Sequence, residues 1–398
     1  MSRRRGPAEA FIDAIAAFLS AEATGAVVLL GATVTAVAWA NSPYRAGYEA
    51  LWGTTLGIHL GSVTLLSLDL RHWVNDALMA LFFFVVGLEI KRELAEGELS
   101  DRGKALLPAL AALGGMLVPA AIYAALNADM ATFRGWGIPM ATDIAFAIGV
   151  LSLFGRRVPR GLVAFLLALA IADDIGAVLV IAAFYTSGID IIALAVAMAA
   201  LAGVLLMWRI QEHWSDPPLV LLMLLVWFAT LSSGVHTTIA GVALGLLAPV
   251  AAGPGKLGVA ERLETTFHPW TSYVVVPLFA LANAGVVIDP AGIGGALASP
   301  VGLGVALGLV VGKPLGIVGA SWLAVRSGVA ALPGGIGWRQ VMAVSAVAGI
   351  GFTVSLFIAQ LALADTHLDQ AKVGIFAGSL VSAAFGSALL WRWLPRRA

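Results

Sequence analysis

The sequence has no cysteine and few charged residues. Without cysteine, disulfide bridges and thiolate metal sites are excluded. Only 12% of the 398 residues are charged and 60% are hydrophobic, whereas about a quarter of the residues of a soluble domain are charged. The net charge is zero, which implies no nucleic-acid partner. This composition excludes a soluble globular protein and predicts an all-α protein that crosses the membrane many times.

Histidine is scarce as well. The closest of the six histidines, His59 and His72, are thirteen residues apart, so the helical His-x-x-x-His spacing of a metal site is absent. We therefore expect no resident metal or other cofactor. Glycine, in contrast, is abundant: its 45 residues are about 11% of the chain, against a usual value of about 7%. Such an excess is typical of helices that pack closely in lipid.

Twelve apolar segments are candidates for membrane-spanning helices. They lie near residues 23–40, 73–91, 105–126, 135–154, 162–184, 190–210, 218–234, 237–250, 271–288, 300–324, 340–362 and 371–391. The longest connection between them is too short for a soluble module. We therefore expect a single transmembrane domain over residues 1–398.

Lysine and arginine are unevenly distributed among the segments that join these spans. If the amino terminus is cytoplasmic, eighteen basic residues lie in inner segments and four in outer ones, and Lys313 lies inside the membrane. The positive-inside rule then places both termini in the cytoplasm. Arg3 to Arg5 and the apolar stretch that ends at Ala40 also resemble a signal peptide. The many later spans favour an uncleaved first helix instead.

The connection between the first two spans reads LGIHLGSVTLLSLDL over residues 56–70. Its partial alternation of apolar and polar residues predicts a small extracytoplasmic β-hairpin, although an irregular loop fits the pattern equally well. The exposed edge of such a hairpin is a surface on which a second copy of the chain could pair.

Two adjacent aspartates, Asp173 and Asp174, lie in the middle of the apolar segment 162–184. Ionised at the bilayer midplane, each would cost about 2.5 to 3.5 kcal/mol on insertion scales, and the two charges increase the cost for each other. A proton or a small hard cation neutralises a carboxylate. A site that exchanges one for the other across a membrane indicates a cation/proton antiporter.

Two further spans contain residues that disfavour a continuous helix. In the fourth span, Pro139 removes a backbone donor, and Thr142-Asp143 is a good helix N-cap. These residues predict a helix that is broken at membrane depth, with a simple proline kink capped by Asp143 as the alternative. The eleventh span has a matching glycine-rich stretch at residues 348–353. Two interruptions in corresponding halves indicate a transporter built from inverted repeats.

Lys313 lies near the middle of the tenth span. A buried ammonium group needs a partner, and among the carboxylates of Asp173, Asp174 and Asp143 we favour Asp173. The alternative is a packing salt bridge with no role in transport. Glycines recur every four residues in the same span, at positions 304, 308, 312 and 316. They predict that the backbone of another helix approaches this face closely.

Eight strings of the sequence closely resemble the NhaA family of bacterial sodium/proton antiporters. They are WVNDALMALFFFVVGLEIKREL (73–94), IPMATDIAFAIGVL (138–151), LALAIADDIGAVLVIAAFYT (167–186), SGVHTTIAGV (233–242), RLETTFHPW (262–270), PLFALANAGV (277–286), GKPLGI (312–317) and GIGFTVSLFIA (349–359). The similarity runs in uninterrupted order from about residue 20 to residue 390. The resemblance implies the inverted repeats known for that family, with two discontinuous helices that cross at mid-membrane.

The resemblance also implies roles for the matching residues. Asp174 would be the main Na+ or Li+ ligand and proton acceptor. Asp173 would exchange its bond to Lys313 for the cation, to which Thr142 could contribute oxygen. Asp143 would balance the amino ends of the broken helices, and Lys313 would balance their carboxyl ends.

Members of the family are shut down at acid pH by a cluster on the cytoplasmic side. The matching residues are Glu89, Arg92, Glu93, Glu264 and His268, together with His236 in the eighth span. Thr265 stands where the family has a histidine, so the pH threshold can differ. For the residues of the second span a solvated helix end is the alternative, and His236 alone is more typical of a hydrogen-bonded core histidine. Asp76 resembles a supporting acidic residue of the family.

The implied function is secondary active antiport and not enzymatic catalysis. Na+, and Li+, would be exported across the bacterial inner membrane in exchange for H+ by alternating access, electrogenically and under control of pH. We expect a homodimer formed through residues 45–71. The alternatives are a cation channel, an intramembrane aspartyl protease and a proton-coupled transporter of another cation or an organic solute. The interrupted acidic site disfavours a channel, successive aspartates do not face each other as a protease dyad does, and the spans offer few polar side chains for a solute.

Overall fold

The computed structural model describes residues 7–61, 63–128, 130–186, 188–210, 216–250, 258–287 and 290–394, most of them helical. The α-helices are, in chain order, α1 (Pro7–Ala40), α2 (Arg45–Trp52), α3 (Leu70–Trp73), α4 (Met79–Ala95), α5 (Arg102–Leu126), α6 (Met130–Phe133), α7 (Ile144–Ser152), α8 (Arg160–Phe184), α9 (Ile191–Ile210), α10 (Pro217–Ser232), α11 (Thr237–Leu247), α12 (Val259–Trp270), α13 (Val276–Asn283), α14 (Pro290–Ala298), α15 (Pro300–Leu307), α16 (Lys313–Arg326), α17 (Trp338–Val347), α18 (Phe352–Ala362) and α19 (Asp365–Trp393). Some basic residues used for the predicted orientation lie outside the described residues, namely Arg3, Arg4, Arg5, Lys256, Arg396 and Arg397.

Eight helical stretches of the described chain are long and apolar enough to cross a membrane, and the pair α17 and α18, bent by 49°, makes a ninth. The eight are Ala23–Ala40, Leu70–Ala95, Gly103–Leu126, Ala131–Ser152, Arg160–Phe184, Ile191–Arg209, Pro300–Arg326 and Thr366–Trp393. The predicted spans 218–234 and 237–250 correspond to the shorter apolar helices α10 and α11. A polytopic all-α membrane protein is thus confirmed, and the number twelve stays a prediction.

The predicted β-hairpin is confirmed. Strand β1 (Thr55–Leu60) pairs antiparallel with β2 (Val63–Asp69). The register runs from Thr55 opposite Asp69 to Leu60 opposite Val63 and shifts once, between Ile58 and His59. The side of the membrane on which the hairpin lies stays a prediction.

Helix α2, which precedes the hairpin, was not predicted. Its residue Tyr48 is buried, and the hydroxyl group lies 2.9 Å from the carbonyl oxygen of Leu281 and 3.1 Å from that of Ala282. Burial raises the pKa of Tyr48 to about 12, so the phenol stays protonated and donates. This contact anchors the base of the hairpin to the end of α13.

The buried apolar side chains form two clusters. The smaller cluster joins α4 with α9, α10, α11 and α12, and Phe84, Val204, Val226, Leu244 and Leu263 are among its members. The larger cluster draws on most of the other helices. It surrounds the place where the chain interruptions of the fourth and eleventh predicted spans meet.

Glycines of the tenth predicted span lie close to the backbone of another helix, as their spacing predicted, and the structure identifies that helix as α5. A methyl group built on Gly312 would lie 2.7 Å from the Cα atom of Pro119, and one built on Gly316 would collide with the carbonyl oxygen of Gly114. Because these positions carry no side chain, the backbones of α5 and α16 come into direct contact.

We expect Gly316→Ala to destabilise the protein, because α5 and α16 must separate to admit the methyl group. Overpacking of this kind typically costs about 1 to 3 kcal/mol. Gly319→Ala is the matched control on the same helix, since nothing lies within 4 Å of a methyl group at that position. The amount of protein in the membrane and the midpoint of thermal denaturation in detergent measure the effect. Equal midpoints for the two variants would contradict this packing.

Candidate functional site

The fourth predicted span is interrupted where the sequence places Pro139 and Asp143. A 3-10 helix covers Arg134–Met140, the next three residues are not helical, and α7 begins at Ile144. The Oδ1 atom of Asp143 accepts a hydrogen bond from the backbone N–H of Phe146 at 3.1 Å. Asp143 is thus the N-cap of α7, as its position after Thr142 predicted.

The second interruption, between α17 and α18, meets the first. The backbone N–H of Asp143 donates to the carbonyl oxygen of Ile350 at 2.6 Å. The hydroxyl group of Thr142 lies 3.0 Å from the carbonyl oxygen of Ala348. The Oδ2 atom of Asp143 accepts from both the N–H of Thr353, at 3.0 Å, and its hydroxyl group, at 2.5 Å. We call this meeting of residues 141–143 and 348–351 the junction.

Asp143 therefore lies at the amino ends of two helices, α7 and α18. Helix amino ends carry a partial positive charge, and a carboxylate placed there is stabilised. The resemblance in sequence implied that Asp143 would balance the partial positive charge at the amino ends of the broken helices. It did not identify Thr353, which supplies two of the hydrogen bonds that hold the carboxylate.

Lys313 is fully buried and contacts the Oδ2 atom of Asp173, which is also fully buried. Its ammonium group also donates to the Thr142 hydroxyl oxygen at 2.7 Å, and that oxygen lies 2.7 Å from the same Oδ2 atom. Of the three candidate carboxylates, the structure pairs Lys313 with the favoured one. The Oδ1 atom of Asp173 is buried and has no hydrogen-bond partner among the described residues.

The helix is widened directly before Lys313. Residues Gly308–Gly312 form a π-helical turn, in which the backbone N–H of Lys313 donates to the carbonyl oxygen of Gly308. Pro314 follows and has no N–H, so a regular α-helical ladder cannot continue through this turn. Such turns are frequent at functional sites. This widened turn was not predicted, and Pro314 is the residue in the sequence that could have indicated it.

Asp174 is only 5% exposed, yet none of the described residues forms a hydrogen bond or an ion pair with it. Successive residues of a helix point about 100° apart, so Asp174 does not share the Lys313 contact of its neighbour. Asp174, the free oxygen of Asp173 and the hydroxyl oxygen of Thr142 are the kind of ligands that a hard cation prefers.

A second cluster lies at the far end of α4. The Arg92 guanidinium group lies 2.7 Å from the Oε1 atom of Glu264, and the imidazole of His268 lies 3.8 Å from the Oε1 atom of Glu89. These contacts join α4 to α12, and Glu93 lies one residue beyond Arg92 on α4. Thr265 is exposed and donates its hydroxyl group to carbonyls of its own helix.

His236 does not belong to this cluster in the structure. Its imidazole lies 3.8 Å from the Oδ1 atom of Asp76, and the hydroxyl group of Thr237 donates to that carboxylate at 3.2 Å. Asp76 and Glu89 are thirteen residues apart along nearly continuous helix, about 20 Å at 1.5 Å per residue. The sequence motifs could not separate the two groups, because they do not show which residues of other helices each side chain contacts.

Comparison with known proteins bears directly on this arrangement. The sequence matches the family described as Na+/H+ antiporter 1 over residues 16–390. The chain belongs to the Na+/H+ antiporter 1 family. Proteins named Na(+)/H(+) antiporter NhaA from Yersinia enterocolitica and Shewanella loihica are 48% and 46% identical to it, over 96% of this chain and 97% and 98% of theirs. One of the same name from Rhodopirellula baltica is 44% identical, over 98% of this chain and 96% of its own.

This member of the Na+/H+ antiporter 1 family carries a titratable group of interest outside its membrane spans, Glu264. Burial raises the pKa of its carboxyl group more than the neighbouring Arg92 guanidinium lowers it. A carboxyl group with a raised pKa binds more protons in the folded than in the unfolded protein. Its contribution to stability is therefore full below the ordinary glutamate pKa of about 4.3 and is lost as the pH rises through the raised value.

We expect Glu264→Gln to flatten the pH dependence of stability. Because the amide does not ionise, the thermal midpoint of the wild type should fall relative to that of the variant as the pH rises above about 4.3. Glu96→Gln, at an exposed glutamate directly after the last residue of α4, is the control. Parallel curves for the wild type and Glu264→Gln would show that the buried carboxyl group does not contribute.

Proposed function

We propose that this protein is a secondary transporter that exports Na+, and Li+, in exchange for H+. One observation carries the proposal: a fully buried Asp173–Lys313 pair lies beside the unpaired Asp174 at the junction of two interrupted helices. Membership of the Na+/H+ antiporter 1 family supports the same function.

The proposed cycle follows from which oxygen atoms of this site already have a partner and which do not. At alkaline pH, Asp174 loses its proton and binds the cation together with Thr142 and the free oxygen of Asp173. Asp173 exchanges its contact with Lys313 for a contact with the cation. The junction then opens to the other side of the membrane, where protons displace the cation.

The exchange is electrogenic if two protons replace one monovalent cation. Asp174 carries one proton and the Asp173–Lys313 pair shares another, so the site has the capacity for two. A cycle of this stoichiometry moves net charge, and the membrane potential then drives Na+ out of the cell.

The proposed arrangement in the membrane has twelve spans with both termini in the cytoplasm of a bacterial cell and the protein in its inner membrane. The two interrupted helices cross at mid-membrane as corresponding parts of inverted repeats. Discontinuous backbone is tolerated at that depth only where it is buried or lines a cavity. The buried contacts of Asp143 with Ile350 and Thr353 support this arrangement.

Regulation and assembly are the remaining parts of the proposal. The cluster of Glu89, Arg92, Glu93, Glu264 and His268 would sense cytoplasmic pH, with Asp76 and His236 acting at a separate place. Residues 45–71 would form a homodimer, because the hairpin has exposed strand edges that a second copy can extend.

A fluorescence dequenching assay of proton movement in everted membrane vesicles tests the function. Na+ and Li+ should dissipate a preformed proton gradient, increasingly from pH 6 to pH 9, and K+ added in the same way measures the selectivity among the three cations. Proteoliposomes with an imposed membrane potential test whether the exchange moves net charge across the membrane. Single-channel currents, or proton movement driven by an organic solute and not by Na+, would support the channel or the solute transporter and contradict the antiporter.

A further inference from the structure

Helix α19 places two serines against the second interruption. Ser379 and Ser382 are three residues apart, so they lie on the same face of the helix. The hydroxyl oxygen of Ser379 accepts the backbone N–H of Phe352 at 3.4 Å. Phe352 is the first residue of α18, where backbone N–H groups have no partner within the helix. Asp143 holds the next N–H, that of Thr353.

Ser382 is in the opposite situation. It is 1% exposed, and its hydroxyl group has no hydrogen-bond partner in the part of the chain that the structure describes. It lies directly on the interruption, because a methyl group built on Gly349 would come within 2.5 Å of its oxygen. Ser345, which is equally buried in α17, donates its hydroxyl group to the carbonyl oxygen of Val341 at 2.7 Å. The hydroxyl group of Ser382 makes no such hydrogen bond to a described backbone carbonyl of its own helix, α19.

A buried hydroxyl group without a partner is uncommon and calls for an explanation. In a protein with two conformations, a group that is unpaired in one of them can be paired in the other. The neighbour that can change is the interruption itself, because the helical hydrogen bonds of α17 end at Ala348. Beyond it, the backbone N–H groups of Gly349 and Ile350 make only turn hydrogen bonds, to the carbonyl oxygens of Ala346 and Val347.

We propose that Ser379 and Ser382 are positioning residues that favour different states of the junction. Ser379 stabilises the arrangement in which Lys313 contacts Asp173, since it pairs the first N–H of α18. Ser382 stabilises the alternative arrangement, in which the backbone at Gly349 turns to its hydroxyl group. This inference rests on the proposed exchange of Na+ for H+.

The two serines must then have opposite effects on Na+ affinity. Asp173 leaves Lys313 when the cation binds, so a variant that stabilises their contact weakens apparent binding. Ser382→Ala removes the unpaired hydroxyl group from that arrangement and should raise the Na+ concentration for half-maximal exchange by about three- to tenfold. Ser379→Ala leaves the Phe352 N–H unpaired there and should lower it by a similar factor.

Proteoliposomes with each variant test this inference, with the half-maximal Na+ concentration and the maximal rate measured separately. Ser379→Thr keeps a hydroxyl group and should restore the wild-type value. Ser345→Ala is the control, since its hydroxyl group is satisfied within α17. The Na+ concentration that gives half-maximal thermal stabilisation in detergent provides a second readout, which does not require transport.

Shifts in the same direction for Ser379→Ala and Ser382→Ala, or no shift beyond that of Ser345→Ala, would overturn the inference. So would a Ser379→Thr variant that behaves like Ser379→Ala. Wild-type liposomes without Na+-driven proton movement would instead refute the proposed function, so the two failures are distinguishable.

Discussion

Asp174→Asn is expected to abolish sodium-driven proton movement while the protein still folds. The asparagine amide has nearly the shape of the acid, but it carries no exchangeable proton and offers a cation no negative charge. Losing one partner of a buried charged interaction costs about 2 to 5 kcal/mol. At 1.4 kcal/mol per factor of ten, exchange should fall by more than about thirtyfold. The measurement is dequenching in everted vesicles at alkaline pH.

Asp216→Asn is the matched control for this substitution. Asp216 precedes α10, and its side chain makes no capping hydrogen bond, so the same chemical change there should leave exchange unaltered. Normal amounts of folded Asp174→Asn protein in the membrane are part of the expected result. Undiminished exchange in that variant would end the assignment of Asp174 as the exchanging carboxylate.

Lys313→Ala is expected to lower the stability of the folded protein strongly. The substitution leaves the Asp173 carboxylate buried without its cationic partner. Removing one member of a buried ion pair typically destabilises a protein by about 3 to 5 kcal/mol. The midpoint of thermal denaturation in detergent measures the loss, and it should be largest at alkaline pH, where Asp173 is ionised.

A second replacement distinguishes the effect of the unpaired Asp173 carboxylate from the effect of losing the packed lysine side chain. Adding Asp173→Asn to Lys313→Ala removes the stranded charge, so the double variant should regain part of the stability. Lys372→Ala is a control, because the carboxylate of Asp369 nearest to that buried amine, at 3.8 Å, is itself largely exposed. A double variant that is no more stable than Lys313→Ala would contradict the claim that this substitution leaves an unpaired charge on Asp173.

Much of the fold was predictable because lipid imposes simple rules on sequence. Apolar runs predicted most of the membrane-crossing helices, and alternation over residues 56–70 predicted the hairpin. Helix α2 was missed because its eight residues, RAGYEALW, have little apolar character of their own and are held by the Tyr48 contacts with a distant helix end. Such contacts between distant parts of the chain leave no local pattern.

The centre of the site was predictable for a related reason. A charge in hydrocarbon needs a partner, so Asp173, Asp174 and Lys313 stood out from their neighbours. The serines of α19 could not be recognised in this way, since a hydroxyl group in an apolar helix is common and usually bonds to its own backbone. The place of His236 beside Asp76 depends on how the residues directly before α4 and α11 pack together, which spacing alone does not define.

The number of protons released for each Na+ bound tests the central claim most directly. Isothermal titration of the purified protein in two buffers of different ionisation enthalpy gives this number without any need for transport. Near the middle of the pH range of activity, we predict that the wild type releases about two protons, from Asp174 and the Asp173–Lys313 pair, and that Asp174→Asn does not bind Na+. Na+ binding by the wild type without release of protons would contradict the account.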